Sequence, residues 1–125
     1  MRILLDTHIF CWWFYEPKRL SRTTLEIMRG AERVFVSSAS IWEVAIKTRL
    51  GRMEADPQEL FHRVQINGFH ELPVLSKHAL KVASLPLHHA DPFDRLLIAQ
   101  AITEPLHFLT VDPQLKQYSD LVIQV

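Results

Sequence analysis

One cysteine, Cys11, and three glycines are all that this 125-residue chain has of those two residue types. A lone thiol excludes an intramolecular disulfide and agrees with a reducing compartment. No repeat, low-complexity tract or Gly/Ser linker interrupts the sequence, so the expectation is one domain over residues 1–125, long enough to bury a single core. No run approaches the roughly 20 apolar residues that span a bilayer. The opening MRILLDTHIF also lacks the long apolar stretch of a signal peptide, which leads us to expect a soluble cytoplasmic protein with no membrane partner. Charge of one sign is missing as well: 14 basic residues balance 14 acidic ones, so no global basic field points to nucleic acid. The apolar share of 48% and charged share of 22% are those of an ordinary globular protein and exclude a disordered chain. Two local basic clusters stand out, Lys18, Arg19 and Arg22, and Lys47, Arg49 and Arg52. On the simplest reading they are solvated helix faces.

Short apolar runs alternate with helical patterns. RILL (2–5), RVFVS (33–37), FHELPV (69–74), LHFLTV (106–111) and LVIQV (121–125) read as strands. Between them, a helix follows Asp6 and stops near Pro17, and another runs from Ser21 as N-cap to Gly30 as the residue just past its end. Further helices are expected over 38–51, closed by Gly51, and 56–68, with Asp56 as cap and Pro57 in the first turn. SKHALKVASLP (76–86) is a helix stopped by Pro86, the next runs to about Glu104, and DPQLKQY (112–118) is a helical turn. The alternation predicts an α/β fold, an α/β/α sandwich around a mainly parallel sheet.

In such a sheet, ligands sit beyond the carboxyl ends of the strands. Asp6 directly follows ILL and Asp112 directly follows FLTV, so two strand ends bring carboxylates to one rim if both strands are parallel. Each acid also has a plainer reading. Asp91-Pro92 and Asp112-Pro113 look like helix caps followed by proline, and Asp94 like a third-position acid favoured by the helix dipole. Asp6 gains little at the end of a buried strand unless a partner or cleft receives it. Glu43 lies with Ser40 and Lys47 on a narrow polar stripe, flanked by Trp42, Ala45 and Ile46 on one side and Ile41, Val44 and Thr48 on the other. That placement puts it near a wall of the core, although an ordinary pair with Lys47 one turn on is the alternative. Clustered carboxylates raise one another's pKa unless a cation neutralises them. Oxygen-only ligands suit Mg2+ or Mn2+ better than Zn2+, and the chemistry that follows is metal-assisted phosphodiester hydrolysis.

LLDTHIFCWWF, VSSASIWEVAIKTRLGRM, HHADPFDRLLIAQA and FLTVD resemble, in order and spacing, the acidic motifs of PIN-domain ribonucleases, most of all the VapC-type toxins of bacterial type II toxin-antitoxin pairs. The resemblance runs nearly end to end. It implies a PIN fold and an Mg2+ or Mn2+ site with Asp6, Glu43, Asp94 and Asp112 as catalytic acids and metal ligands, and Asp91 shared between the metal site and the helix start. Thr7 and Thr110 are then placed to bond a coordinated water or a phosphate, and Ser40 to orient Glu43. His8 stands where many PIN domains carry Asn, either as a donor to the substrate phosphate or as a packed surface residue. The implied partners are an RNA substrate, to which the basic clusters would contribute backbone contacts, a cognate antitoxin and a second copy of the chain. FCWWFY (10–15), with five aromatics in six residues, is the candidate face for the dimer or for an amphipathic antitoxin segment.

Two other functions are weighed. Seven histidines, among them His8, His88 and His89 beside the acids, raise a Zn2+ hydrolase, but their spacing lacks HExxH or another strong zinc signature. A phospho-acceptor signalling domain needs two adjacent acids after the first strand and an Asp after the third. ILLDT has one acid, and FHELPV ends without any.

Overall fold

The computed structural model describes residues 1–125. Five parallel strands form one sheet in the order β3-β2-β1-β4-β5: β1 Arg2–Leu5, β2 Arg33–Ser37, β3 His70–Leu72, β4 His107–Thr110 and β5 Val122–Gln124. Six α-helices accompany them, α1 Thr7–Tyr15, α2 Arg22–Gly30, α3 Ser38–Arg49, α4 Pro57–Ile66, α5 Ser76–Val82 and α6 Pro92–Thr103. Two 3-10 turns, Pro17–Arg19 and Pro113–Tyr118, complete the chain. The sheet is parallel throughout, as expected.

Pleating splits the first strand between two cores. Ile3 and Leu5 join Ile9 and Phe10 of α1, Val44 of α3, and Leu60 and Val64 of α4 on one face. Leu4 joins Phe108 of β4 and Leu97, Ile98 and Ala101 of α6 on the other. A strand covered on both faces must be apolar throughout, which is why RILL shows no alternation. The strand order reverses between β1 and β4, each hydrogen-bonded to the other and leading outward to opposite edges. A crevice opens at such a switch point, beyond the carboxyl ends of the two strands.

Most element ends fall where the sequence puts them, and the exceptions have local causes. β3 stops at Leu72 because Pro73 has no N–H to continue the ladder. α5 ends at Val82 rather than running on to 86; the residue before Pro86 is kept out of the helical region, and the chain leaves through turns closed by Leu85 N–H to the Val82 carbonyl. Gly30 is the last helical residue of α2 and not the residue past it; the helix exits through extended Ala31, so no left-handed glycine is used there. Gly51 and Gly68, at φ +72° and +74°, are the left-handed residues beyond α3 and α4.

The aromatic segment is less exposed than expected. Phe10 and Cys11 are buried, Trp12, Trp13 and Phe14 are half-buried, with Trp13 and Phe14 packed against Phe69, and Tyr15 is exposed. Trp42, on one of the two apolar flanks of α3, is 60% exposed and meets Phe93 edge-on at 5.2 Å. A helical wheel separates sides of a helix without saying which side faces another layer.

Candidate active site

Asp6 leaves β1 at the switch point and caps α1. Its backbone N–H bonds the Leu109 carbonyl, and its Oδ1 accepts from the His8 N–H at 2.9 Å. Its Oδ2 accepts from the Thr110 hydroxyl, at the end of β4, at 2.5 Å. The residue is 2% exposed. Burial raises its pKa, but the bonds from His8 and Thr110 outweigh burial and hold the carboxyl below its ordinary value. Thr110 also accepts the Asp112 N–H at 3.1 Å, which fixes the second acid beside the first.

Asp112 caps the following 3-10 turn, accepting from the Gln114 N–H, and its other oxygen accepts from His89 Nε2 at 3.0 Å. His89 Nδ1 accepts the Asp91 N–H at 3.0 Å, so the proton of the neutral ring sits on Nε2. The same Nε2 lies 3.7 Å from Asp94 Oδ2. His89 thus joins the loop before α6 to the strand end after β4. It entered the sequence reading only as a zinc candidate, and its one local signal is the His-x-Asp spacing that lets a ring nitrogen receive the N–H two residues on.

Asp91 is a true helix cap, with Oδ1 accepting from both Phe93 and Asp94 N–H. Asp94 sits in the first turn of α6 and points into the cleft with Asp6 and Asp112. Burial, followed by the charges of Asp6, Asp91 and Glu43, pushes its carboxyl up to about 7. Glu43, from α3, is 3% exposed. The alternative pair with Lys47 does form, 2.7 Å to Oε2, yet Oε1 is buried with no hydrogen-bond partner. Behind it the Thr7 and Ser40 hydroxyls bond each other at 2.8 Å, tying α1 to α3; Ser40 therefore holds the wall and makes no hydrogen bond to Glu43.

The cleft of about 420 Å3 is lined by Asp6, His8, Trp12, Arg19, Asp94, Val111 and Asp112. His8, 54% exposed, has Nδ1 3.4 Å from Asp6 Oδ1, and that contact raises the pKa of its ring. A cation fits this rim. An unpartnered buried carboxylate oxygen and a carboxyl raised by burial and then by its neighbours' charge are both costly without one, and the residues that would donate, Asp6, Glu43, Asp94 and Asp112, offer only oxygen, as Mg2+ or Mn2+ prefers. His89, Asp94 and Asp112 also come within 4.8 Å of one another. To ligate a metal through Nε2, however, His89 would have to move its proton to Nδ1, against the Asp91 N–H.

Comparison with known proteins agrees with the fold. Residues 3–121 match the family model described as PIN domain. A ribonuclease of Mycobacterium tuberculosis (strain ATCC 25618 / H37Rv), VapC22, is 31% identical over 93% of this chain and 91% of its own. Among solved structures, VapBC2 from Rickettsia felis bound to a DNA fragment from its promoter superposes with TM-score 0.70 at 15% identity, covering 100% of this chain and 98% of that one. FitAcB from Neisseria gonorrhoeae gives 0.68 at 18% identity, over 98% and 96%.

Proposed function

The chain belongs to the PIN domain family, and on that premise we propose that it is a Mg2+- or Mn2+-dependent endoribonuclease, the toxin of a toxin-antitoxin pair, hydrolysing RNA phosphodiester bonds. The observation that carries the reading is that Asp6, Asp94 and Asp112, from three separate segments, line one cleft, with Glu43 near enough for its charge to act on Asp94 and its Oε1 buried and unpartnered. These four residues would hold the ion, with Asp91 contributing charge from its capping position. When bound, the ion activates a water and stabilises the charge that develops on the phosphate.

The chain's own groups fix the remainder. Thr110 and the His8 N–H hold Asp6 ionised and oriented. His89 orients Asp112 while leaving Asp94 open to the cleft. Lys47 pairs with one oxygen of Glu43 and leaves the other, buried and unpartnered, for the ion. His8, exposed at the mouth beside Asp6, is placed to donate to a substrate phosphate. Thr7, bonded to Ser40, supports the wall.

The partners follow from the relatives, which include toxin-antitoxin complexes. A cognate antitoxin would silence the enzyme, in the cytoplasm; no helix is long and apolar enough to cross a membrane. The aromatic segment 10–15 offers exposed Tyr15 and the half-buried Trp12, Trp13 and Phe14 to a partner, and the apolar hollow between α3, α5 and α6, lined by Trp42, Ile46, Val82, Pro92, Phe93 and Leu96, is a second candidate homodimer face. Purified free of antitoxin, the protein should cleave RNA with Mg2+ or Mn2+ and stop on chelation. Full activity in excess chelator would refute the metal-dependent reading.

A further inference from the structure

Beside the acidic cleft runs a second groove of about 550 Å3, and the two share His8, Trp12 and Arg19. Its far end is formed by Arg52 and Met53, from the segment after α3. The two basic clusters of the sequence are separated here. Arg22 is paired with Glu26 and Lys47 with Glu43, whereas Arg19 and Arg52, one from each cluster, line the same groove. Arg52 makes no ion pair. Arg19 bonds Glu16 at 3.2 Å, and its guanidinium lies 4.5 Å from the centroid of the Trp12 ring. The His8 ring flanks the indole at 6.0 Å.

We propose that this groove binds single-stranded RNA, stacking one base on the Trp12–Arg19–His8 platform next to the scissile phosphate and placing a backbone phosphate on Arg52. The inference rests on the ribonuclease reading of the adjoining cleft and names the chemistry by which that site receives its substrate. Charge alone does not select the occupant, because Glu16 and Glu54 line the groove with the two arginines. Selection comes from the flat faces: an indole, a guanidinium and an imidazole are the surfaces on which unpaired bases stack. A duplex hides its base faces and has no use for them. The groove is also continuous with the acids that would act on the strand, so a chain laid across the cleft runs into it.

Affinity for a short, fluorescein-labelled, mixed-sequence single-stranded oligoribonucleotide, measured by anisotropy with Ca2+ replacing Mg2+, tests this. Trp12→Ala should weaken binding on the order of 10- to 100-fold, with Trp12→Phe recovering most of it, while the duplex of the same sequence binds equally weakly to all three proteins. Arg52→Gln, at an exposed position that leaves folding intact, should reduce the slope of log affinity against log salt by about 0.7, the share of one single-strand phosphate. Arg19→Gln, also exposed, should reproduce part of the Trp12→Ala loss. Affinities within twofold of wild type for folded Trp12→Ala and Arg19→Gln would overturn the inference even if RNA cleavage is seen. So would intact RNA binding alongside loss of a co-expressed antitoxin, which would make the groove a protein-docking surface. Groove-dependent RNA binding without cleavage under any metal would uphold the groove and defeat the ribonuclease reading, so the two fail separately.

Discussion

The two ends of α6 both carry a carboxylate and a histidine, and they are built in opposite ways. At the start, Asp94 lies in the first turn with His89 at 3.7 Å. At the end, Glu104 caps the helix with His78 Nε2 at 2.5 Å and Lys77 Nζ at 3.1 Å. The helix dipole favours an acid at the start and disfavours one at the end. Both carboxyls shift against it: Asp94 is raised to about 7 by burial and by Asp6, Asp91 and Glu43, while bonds from His78 and Lys77 lower Glu104. Neighbours therefore outweigh the dipole at each end. The histidines themselves are used alike, Nδ1 accepting a backbone N–H, from Leu75 to His78 and from Asp91 to His89, and Nε2 donating to a carboxylate. What differs is the supply of positive charge. The Glu104 end is a completed ion cluster that ties α5 to α6, although the amide oxygen of buried Gln100 nearby lacks a partner. The Asp94 end has the charges of Asp6, Asp91 and Glu43 around it with one histidine nearby, and the proposed cation would offset them.

The widest separation between the two ends should appear in Asp94→Asn. RNA cleavage should fall by more than about 100-fold, while metal-free thermal stability holds or rises because one of several like charges is gone. A fall in stability together with retained cleavage would erase the distinction. Next in size, His78→Ala should cost about 2–4 kcal/mol in urea unfolding, since it empties a buried position, leaves the Leu75 N–H without its partner and leaves Glu104 with Lys77 alone. Activity per folded molecule should stay unchanged.

The pH dependence should divide the ends more finely. Glu104 has a lowered folded pKa, so its contribution is present above its ordinary value of 4.5 and is lost as pH falls through the folded value. Asp94 has a raised folded pKa, so the folded state binds the extra proton between its ordinary 3.8 and about 7, and metal-free stability declines as pH rises across that window. Melting temperature against pH should lose its acid limb in part in Glu104→Gln and its decline towards neutrality in Asp94→Asn. Saturating Mg2+ should abolish that decline in the wild type. The smallest effect belongs to a pair outside both clusters: Arg22→Ala breaks the exposed Arg22–Glu26 bridge and should change stability by less than about 0.5 kcal/mol.

The parts of this contrast that the sequence discloses are those written in local pattern. ILLD and FLTVD place Asp6 and Asp112 at strand ends, because an apolar run broken by an acid has few other meanings in a parallel sheet. The polar stripe of α3 discloses Glu43, and its pairing with Lys47 follows from the helical turn. Asp91 is a cap that does not line the cleft, whereas Asp112 caps its turn and also lines it, so capping and a place in the cleft are compatible at Asp112. His89 and His78 were hidden, since each acts across 23 and 26 residues of chain on an acid whose position depends on the fold. The exposure of Trp42 and the convergence of Arg19 with Arg52 were hidden for the same reason: both depend on which layers the helices join.

The central claim is that the rim of Asp6, Glu43, Asp94 and Asp112 is a divalent-cation site. Anomalous diffraction from crystals soaked in Mn2+ tests it most directly. The expected result is an ion among oxygens of these four residues, with Glu43 Oε1 turned towards it and His89 still bonded to Asp112. No ion at the rim at saturating Mn2+, or a metal held by His89, Asp94 and Asp112 with Asp6 and Glu43 outside its coordination, would contradict it.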